Sequence, residues 1–176
     1  MRKISLLLFL FNSFATYSQD VTGTWEGELS IGVYSVPKIH KMKWELIHIE
    51  REVYGIVYIY PQDTKAGDEP NVVYTWYGKQ GKTKNFPFQF IIGKYIDGLG
   101  SSQVYQFNVG YNRSDSTESL NGKWFNQLET LETLDKGRGL FMMKKISDKV
   151  SDKLWLKRKE KEIIEKLEKS SSLNSQ

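Results

Sequence analysis

Between residues 21 and 146, most of the chain alternates apolar and polar side chains, and this pattern predicts β-strands. In residues 21–33, Trp25, Leu29 and Ile31 fall on one face, while Glu26 and Glu28 fall on the other. A period of two is typical of strands that bury one face. The pattern recurs in seven further segments, which are residues 41–50, 52–60, 72–79, 85–93, 103–111, 118–126 and 138–146.

The joints between these eight segments are rich in turn residues, and no helical pattern separates one strand from the next. Strands that follow one another without crossover helices pair as an antiparallel meander. Eight such strands can close into a barrel, which removes the exposed sheet edges. We therefore predict a mainly β domain over residues 19–146, an eight-stranded antiparallel up-and-down β-barrel. An open sandwich is the alternative.

After residue 146 the pattern changes to that of an amphipathic helix. Residues 147–169 are rich in Lys, Glu and Leu and contain neither Gly nor Pro. Leu156, Ile163, Ile164 and Leu167 share one broad face at 3.6 residues per turn. Ser147 or Ser151 can cap the first turn. We predict a C-terminal helix over residues 147–169, followed by a disordered polar tail over residues 170–176.

The first 18 residues have the pattern of a secretory signal peptide. Arg2 and Lys3 precede an apolar run over residues 4–11, and Thr16 and Ser18 are small residues suited to a cleavage site before Gln19. The run is too short to span a bilayer comfortably. We therefore expect a secreted or periplasmic protein that is cleaved between Ser18 and Gln19. A membrane-anchoring or buried helix is the alternative.

Composition and charge narrow the class of protein. The absence of cysteine excludes disulfides and favours a bacterial exported protein over a eukaryotic one. Residues 19–135 are mildly acidic and residues 136–169 are basic, so nucleic acid is not an expected partner of this exported protein. The basic helix could contact the barrel, a protein partner or an anionic envelope surface. Charges such as Lys41 and Lys43 on the expected outer face argue against a membrane-spanning barrel.

The motif Thr-Gly-Thr-Trp at residues 22–25 resembles the Gly-x-Trp opening of lipocalins and the wider calycin group. The resemblance implies an eight-stranded barrel in which Trp25 packs across the closed end as a structural plug. It also implies a late basic residue against this tryptophan, for which Arg138 and Lys144 are the candidates. An Asn that avidin-like proteins use for biotin is replaced here by Glu26.

The strands carry many aromatic residues at positions that we interpret as inward-facing. A barrel of eight strands has an interior that is either just filled by side chains or able to hold one small ligand. We predict a binding module for a small apolar or amphipathic molecule, and the alternative is a filled barrel that acts through its surface and helix. The predicted ligand-binding residues are Trp44, His48, Tyr58, Trp76, Phe88, Tyr105 and Phe107.

The sequence contains no assembled catalytic or metal-binding motif. His48 is in phase with Trp44 and is the one residue to test for acid–base chemistry, which makes an enzyme at the barrel mouth a third hypothesis. His40 lacks further ligands of a metal site. The acidic loop with Asp63, Asp68 and Glu69 does not have the spacing of a calcium loop. We expect no metal and no cofactor.

Overall fold

The computed structural model describes residues 19–32, 36–62, 69–70, 72–81, 88–98, 105–126, 137–152 and 154–173. They form a closed barrel of eight strands, each hydrogen-bonded to the next and the last to the first. The strands are β1 (Gly23–Ile31), β2 (Lys38–Ile49), β3 (Glu52–Ile59), β4 (Val72–Gln80), β5 (Phe88–Gly98), β6 (Tyr105–Arg113), β7 (Glu118–Asn126) and β8 (Arg138–Ser147), followed by the helix α1 (Leu154–Leu173). The predicted antiparallel up-and-down barrel is confirmed. The proposed signal peptide lies outside the described residues.

The seam between β1 and β8 closes the barrel and depends on a glycine. The two strands are antiparallel, with Thr24 opposite Ser147 and Leu29 opposite Phe141. Gly23 has a φ of 137°, a conformation that residues with a Cβ atom rarely adopt. A Cβ atom at this position would also collide with the carbonyl oxygen of Ser147. The glycine of the Gly-x-Trp motif is therefore needed for close strand contact.

The barrel has a closed end and an opposite end, which we call the mouth. Residues 19–22 precede β1 at the closed end, where β8 also finishes. The mouth is bordered by the last residues of β1, β3, β5 and β7 and by the first residues of β2, β4, β6 and β8. The main core fills the interior and contains Trp25, Trp44, Trp76 and Phe107. A second buried cluster lies on the outer wall of β2 and β3, beneath α1.

The C-terminal helix begins later and ends later than predicted. Ser147 is the last residue of β8, residues 148–152 cross the outer wall, and α1 runs from Leu154 to Leu173. Residues 148–152 are held away from helical geometry because they make contacts with the wall, among them the hydrogen bond that Thr24 Oγ1 donates to the carbonyl of Lys149 over 2.7 Å. No Gly or Pro interrupts the sequence after Leu154, so the helix continues into the serine-rich segment.

Candidate ligand site

The centre of the barrel is occupied by aromatic rings from five different strands. The ring centroid of Trp44 lies 4.2 Å from that of Trp76, 5.2 Å from Phe141, 5.7 Å from Phe107 and 6.2 Å from Phe90. These are the separations of aromatic rings in direct contact, mostly edge to face. At this level the interior is therefore filled largely by side chains, so a ligand site here would be compact.

Two indole N–H groups in this cluster have no hydrogen-bond partner among the described residues. They belong to Trp44 and Trp76, whose side chains are fully or almost fully buried. The other interior indoles are satisfied, since Trp25 donates to the carbonyl of Val21 over 3.0 Å and Trp124 donates to that of Ser30 over 2.8 Å. An unsatisfied buried donor costs about 1–3 kcal/mol. The N–H groups of these two central indoles therefore lack an acceptor among the described residues.

The closed end is sealed by the N-terminal residues and by Trp25. Val21 and Trp25 have no solvent exposure, and the hydrogen bond between them fixes residues 19–22 across the barrel. The backbone N–H of His48 donates to Thr22 Oγ1 over 3.0 Å and strengthens this closure. Trp25 is thus fully buried at the closed end, and its role as a plug stays a prediction.

The basic residue against Trp25 is Lys145, and neither Arg138 nor Lys144 occupies this place. The Lys145 ammonium lies 5.6 Å from the Trp25 ring centroid. It makes ion pairs with Asp148 at 2.7 Å and with Glu118 at 3.2 Å. Burial alone would lower the pKa of Lys145, but hydrogen bonds to Asp148 and Glu118 raise it above its usual value. Lys144 is exposed on the opposite face of β8, and Arg138 begins that strand at the mouth.

His48 lies near the closed end, with its side chain only 3% exposed. Its ring makes an edge-to-face contact with Phe88 at 5.3 Å, and its Nδ1 lies 3.8 Å from Asp20 Oδ1. Burial lowers the pKa of His48 below the usual 6.5, although Asp20 and the backbone of Glu50 and Gln19 oppose this effect. The imidazole is therefore neutral at pH 7, and its buried Nε2 has no described hydrogen-bond partner.

Neither histidine joins a metal site in the described part of the chain. His40 and His48 lie eight residues apart on β2, which corresponds to about 26 Å of extended strand. No group of three His, Cys, Asp or Glu residues that could hold a metal ion occurs among the described residues. Asp63 and Asp68 of the acidic loop lie outside those residues.

The mouth is bordered by partly exposed apolar side chains that pack on the central cluster. Ile31, Ile59, Val72 and Tyr105 occupy this end, at the strand termini. Tyr105 contacts Trp124 at 5.6 Å between ring centroids, and burial raises the pKa of its hydroxyl. Partly exposed apolar side chains at the mouth therefore pack against the buried cluster that contains Trp44 and Trp76.

The prediction that Tyr58 faces the interior is wrong. Tyr58 packs with Ile47, Ile56 and Leu156 in the outer cluster, and Tyr54 lies on the same outward phase of β3. The interior positions of this strand are Val53 and Val57. Both phases of β3 are apolar because one covers the barrel interior and the other lies under the C-terminal segment, so periodicity alone could not distinguish them.

A buried carboxylate fastens the C-terminal segment to this outer wall. Glu45 is 2% exposed and accepts hydrogen bonds from Ser151 Oγ and from the Tyr58 hydroxyl at 3.4 Å. Lys43 lies 3.4 Å from the same carboxylate. Burial and the nearby Glu45 raise the pKa of Tyr58. The sequence analysis missed Glu45 and Ser151, because their pairing spans almost the whole domain.

The structure thus places the seven predicted ligand residues at four different locations. Trp44, Trp76 and Phe107 meet in the central cluster, and the sequence analysis missed their contact Phe141 because apolar residues occur on both phases of β8. Phe88 and His48 lie towards the closed end, Tyr105 lies at the mouth, and Tyr58 lies outside the barrel. Phe86, an aromatic residue in the predicted strand over residues 85–93, lies outside the described residues.

The outer surface of β8 carries a row of exposed apolar side chains. Leu140, Met142 and Ile146 are 56%, 59% and 54% exposed and alternate with the inward residues of the strand.

Among the described residues, no helix has both the length and the apolar character needed to cross a membrane. The chain matches no protein-family model, and neither a curated protein nor a solved structure is similar enough to it to count as a match.

Proposed function

We propose that the protein is a binding module for a small, largely apolar molecule that enters the barrel through its mouth. The observation that supports this proposal is the difference between the two ends. Val21 and Trp25 seal one end, whereas Ile59, Val72 and Tyr105 at the other remain partly exposed and lead to an aromatic interior. Sites for small ligands are typically concave, apolar and lined by aromatic side chains.

The proposal is tested by native mass spectrometry of protein purified from its own host, with extraction after unfolding. A small molecule that is released on unfolding supports the proposal, and its chemical class follows from its mass and fragmentation. If the protein carries no ligand and no member of a lipid and aromatic panel raises its melting temperature, the proposal is wrong.

A matched pair of charge insertions locates the binding surface. Ile59→Lys places an ammonium at the mouth, whereas Met142→Lys places one on the exposed outer face of β8. We expect Ile59→Lys to weaken ligand binding at least tenfold, because a charge at an apolar opening must be desolvated when the ligand enters. Met142→Lys should bind as the unmodified protein does. Circular dichroism establishes that both variants remain folded.

A second candidate function is contact with a protein or envelope partner through the outer surface and the basic helix. It is favoured by the central ring contacts, which leave little space inside, and by the exposed row of Leu140, Met142 and Ile146. The same two variants distinguish the candidates. Loss of a host complex in Met142→Lys, with the complex retained in Ile59→Lys, would favour the surface function.

We also propose that the protein is exported, with residues 1–18 as a cleaved signal peptide, and that the barrel is calycin-like. Residues 1–18 combine a basic start with a short apolar run. N-terminal sequencing of the protein from the periplasm or medium should begin at Gln19. Recovery of the intact N-terminus from the cytoplasm would contradict export.

A further inference from the structure

The two unpartnered indoles occupy one small region of the interior and offer the same chemistry. The ring centroids of Trp44 and Trp76 are 4.2 Å apart, at an interplanar angle of 80°. An indole N–H is a donor only, so each can be satisfied only by an acceptor. A carbonyl oxygen has two lone pairs and can accept from two donors. Hydrocarbon ligands would leave both groups unsatisfied.

The charge of the interior limits the kind of acceptor that fits. Among residues whose burial the structure describes, the buried charged side chain is Glu45, and it lies on the outer wall. Lys145, the inward cation of β8, is paired with Glu118 and Asp148 at the closed end, beside Trp25. An anionic head group at Trp44 would therefore be buried without a counter-charge among the described residues, which is strongly unfavourable.

We propose that Trp44 and Trp76 form the polar end of the ligand site and select an uncharged aromatic or otherwise flat molecule with a carbonyl-type acceptor oxygen. This inference rests on the proposed binding function and adds the class of ligand to it. The oxygen receives the two indole N–H groups, and the apolar part of the molecule extends towards Tyr105 and the mouth. His48, nearer the closed end beside Phe88, is not part of this contact.

Three probes of equal size test the selection. Acetophenone, isopropylbenzene and benzoate share a benzene ring and a three-atom substituent, and they differ in that the substituent is a neutral acceptor, a hydrocarbon or an anion. Each is titrated into ¹⁵N-labelled, refolded full-length chain. The side-chain N–H signals of the five tryptophans are then followed by NMR. We expect acetophenone to shift the Trp44 and Trp76 signals downfield, isopropylbenzene to bind without a downfield shift, and benzoate to bind most weakly.

Variants that keep an aromatic ring and remove the N–H provide an independent readout. Trp44→Phe and Trp76→Phe should lower the affinity ratio of acetophenone to isopropylbenzene about three- to tenfold, the value of one hydrogen bond. Trp124→Phe is the matched control, because its N–H is already bonded to the carbonyl of Ser30. Using the ratio cancels the different hydrophobicity of the two probes. If one variant fails to fold, the signals of the unmodified protein still decide the question.

Three results would overturn the inference, and they separate it from the proposed function. If all three probes bind equally and no indole signal moves downfield, the ligand class is wrong while the binding function stands. If the two central variants and Trp124→Phe change the ratio equally, the central indoles do not select the ligand. If no probe binds and the wider ligand panel also fails, both proposals are wrong.

Discussion

Two adjacent residues of β2, one on each face of the barrel wall, differ in whether their buried polar group has hydrogen-bond partners. Glu45 points outward and is covered by the C-terminal segment, where Ser151, Tyr58 and Lys43 surround its carboxylate. Trp44 points inward into the ring cluster, where its N–H has no partner among the described residues. The buried carboxylate on the outer face thus has its partners within this chain, whereas the buried donor on the inner face has none among the described residues. The unpartnered N–H of Trp44 is the observation on which the proposed ligand contact rests.

Removal of a central ring should produce the largest loss of stability. Phe107→Ala deletes contacts with Trp44, Trp76 and Phe141, and we expect it to lower the free energy of unfolding by about 3–5 kcal/mol. Urea titration measures this loss. Leu140→Ala, on the exposed face of β8, should change stability by no more than about 0.5 kcal/mol. A small effect of Phe107→Ala would mean that the interior is loosely packed.

Breaking the outer polar cluster should have the next largest effect. Glu45→Ala leaves Ser151, Tyr58 and Lys43 without their shared acceptor, and we expect a loss of about 2 kcal/mol, since Lys43 is partly exposed to solvent. Amide hydrogen exchange should also accelerate at residues 149–157. Glu28→Ala removes an exposed carboxylate and is the control. If exchange near Ser151 is unchanged, Glu45 does not hold the segment in place.

Two tryptophan variants compare a buried indole N–H that has a hydrogen-bond partner with one that has no described partner. Trp124→Phe loses a hydrogen bond to Ser30, whereas Trp44→Phe loses an N–H without a described partner. We expect Trp124→Phe to be the more destabilising by about 1 kcal/mol in the ligand-free protein. Denaturant titration of both variants decides this. Equal losses would indicate that the Trp44 N–H already makes a stabilising contact, such as one with the face of a neighbouring ring.

The smallest expected effect is a pH dependence of the protein's stability that originates at His48. Because burial holds the pKa of His48 below 6.5 in the folded protein, the unfolded chain binds this proton more readily. Stability should therefore fall as the pH decreases below about 6.5, and this contribution levels off once the folded-state pKa is passed. Melting temperatures across this range should become less pH-dependent in His48→Gln. The His40→Gln variant should retain the full dependence.

The strand pattern was sufficient to predict the barrel, because one face of most strands is polar. β1 alternates Trp25, Leu29 and Ile31 with Glu26, Glu28 and Ser30, so its phase is unambiguous. β3 is apolar on both faces, since the second face lies under Leu156 and its neighbours. The sequence therefore predicted the existence of β3 correctly, but it gave the wrong side for Tyr58.

The parts of the candidate site that escaped prediction depend on contacts between distant segments. The pairing of Glu45 with Ser151 joins residues 106 positions apart, and Lys145 reaches Trp25 only because β8 pairs with β1. Whether an indole N–H has a partner also depends on the exact rotation of a ring in the packed core. Sequence periodicity indicates which residues are buried, but it does not indicate whether a buried polar group has a hydrogen-bond partner.

The seam between β1 and β8 also determines when the molecule can fold. Thr24 and Lys149, which meet at this seam, are 125 residues apart in the chain. While the chain is being synthesised, β1 can pair with β2 but keeps an unpaired edge until β8 is available. Closing so long a loop is slow, and an open edge favours pairing with other chains in the meantime. The barrel therefore closes only once its last strand is available, and the pairing of β8 protects the edge of β1 from aggregation.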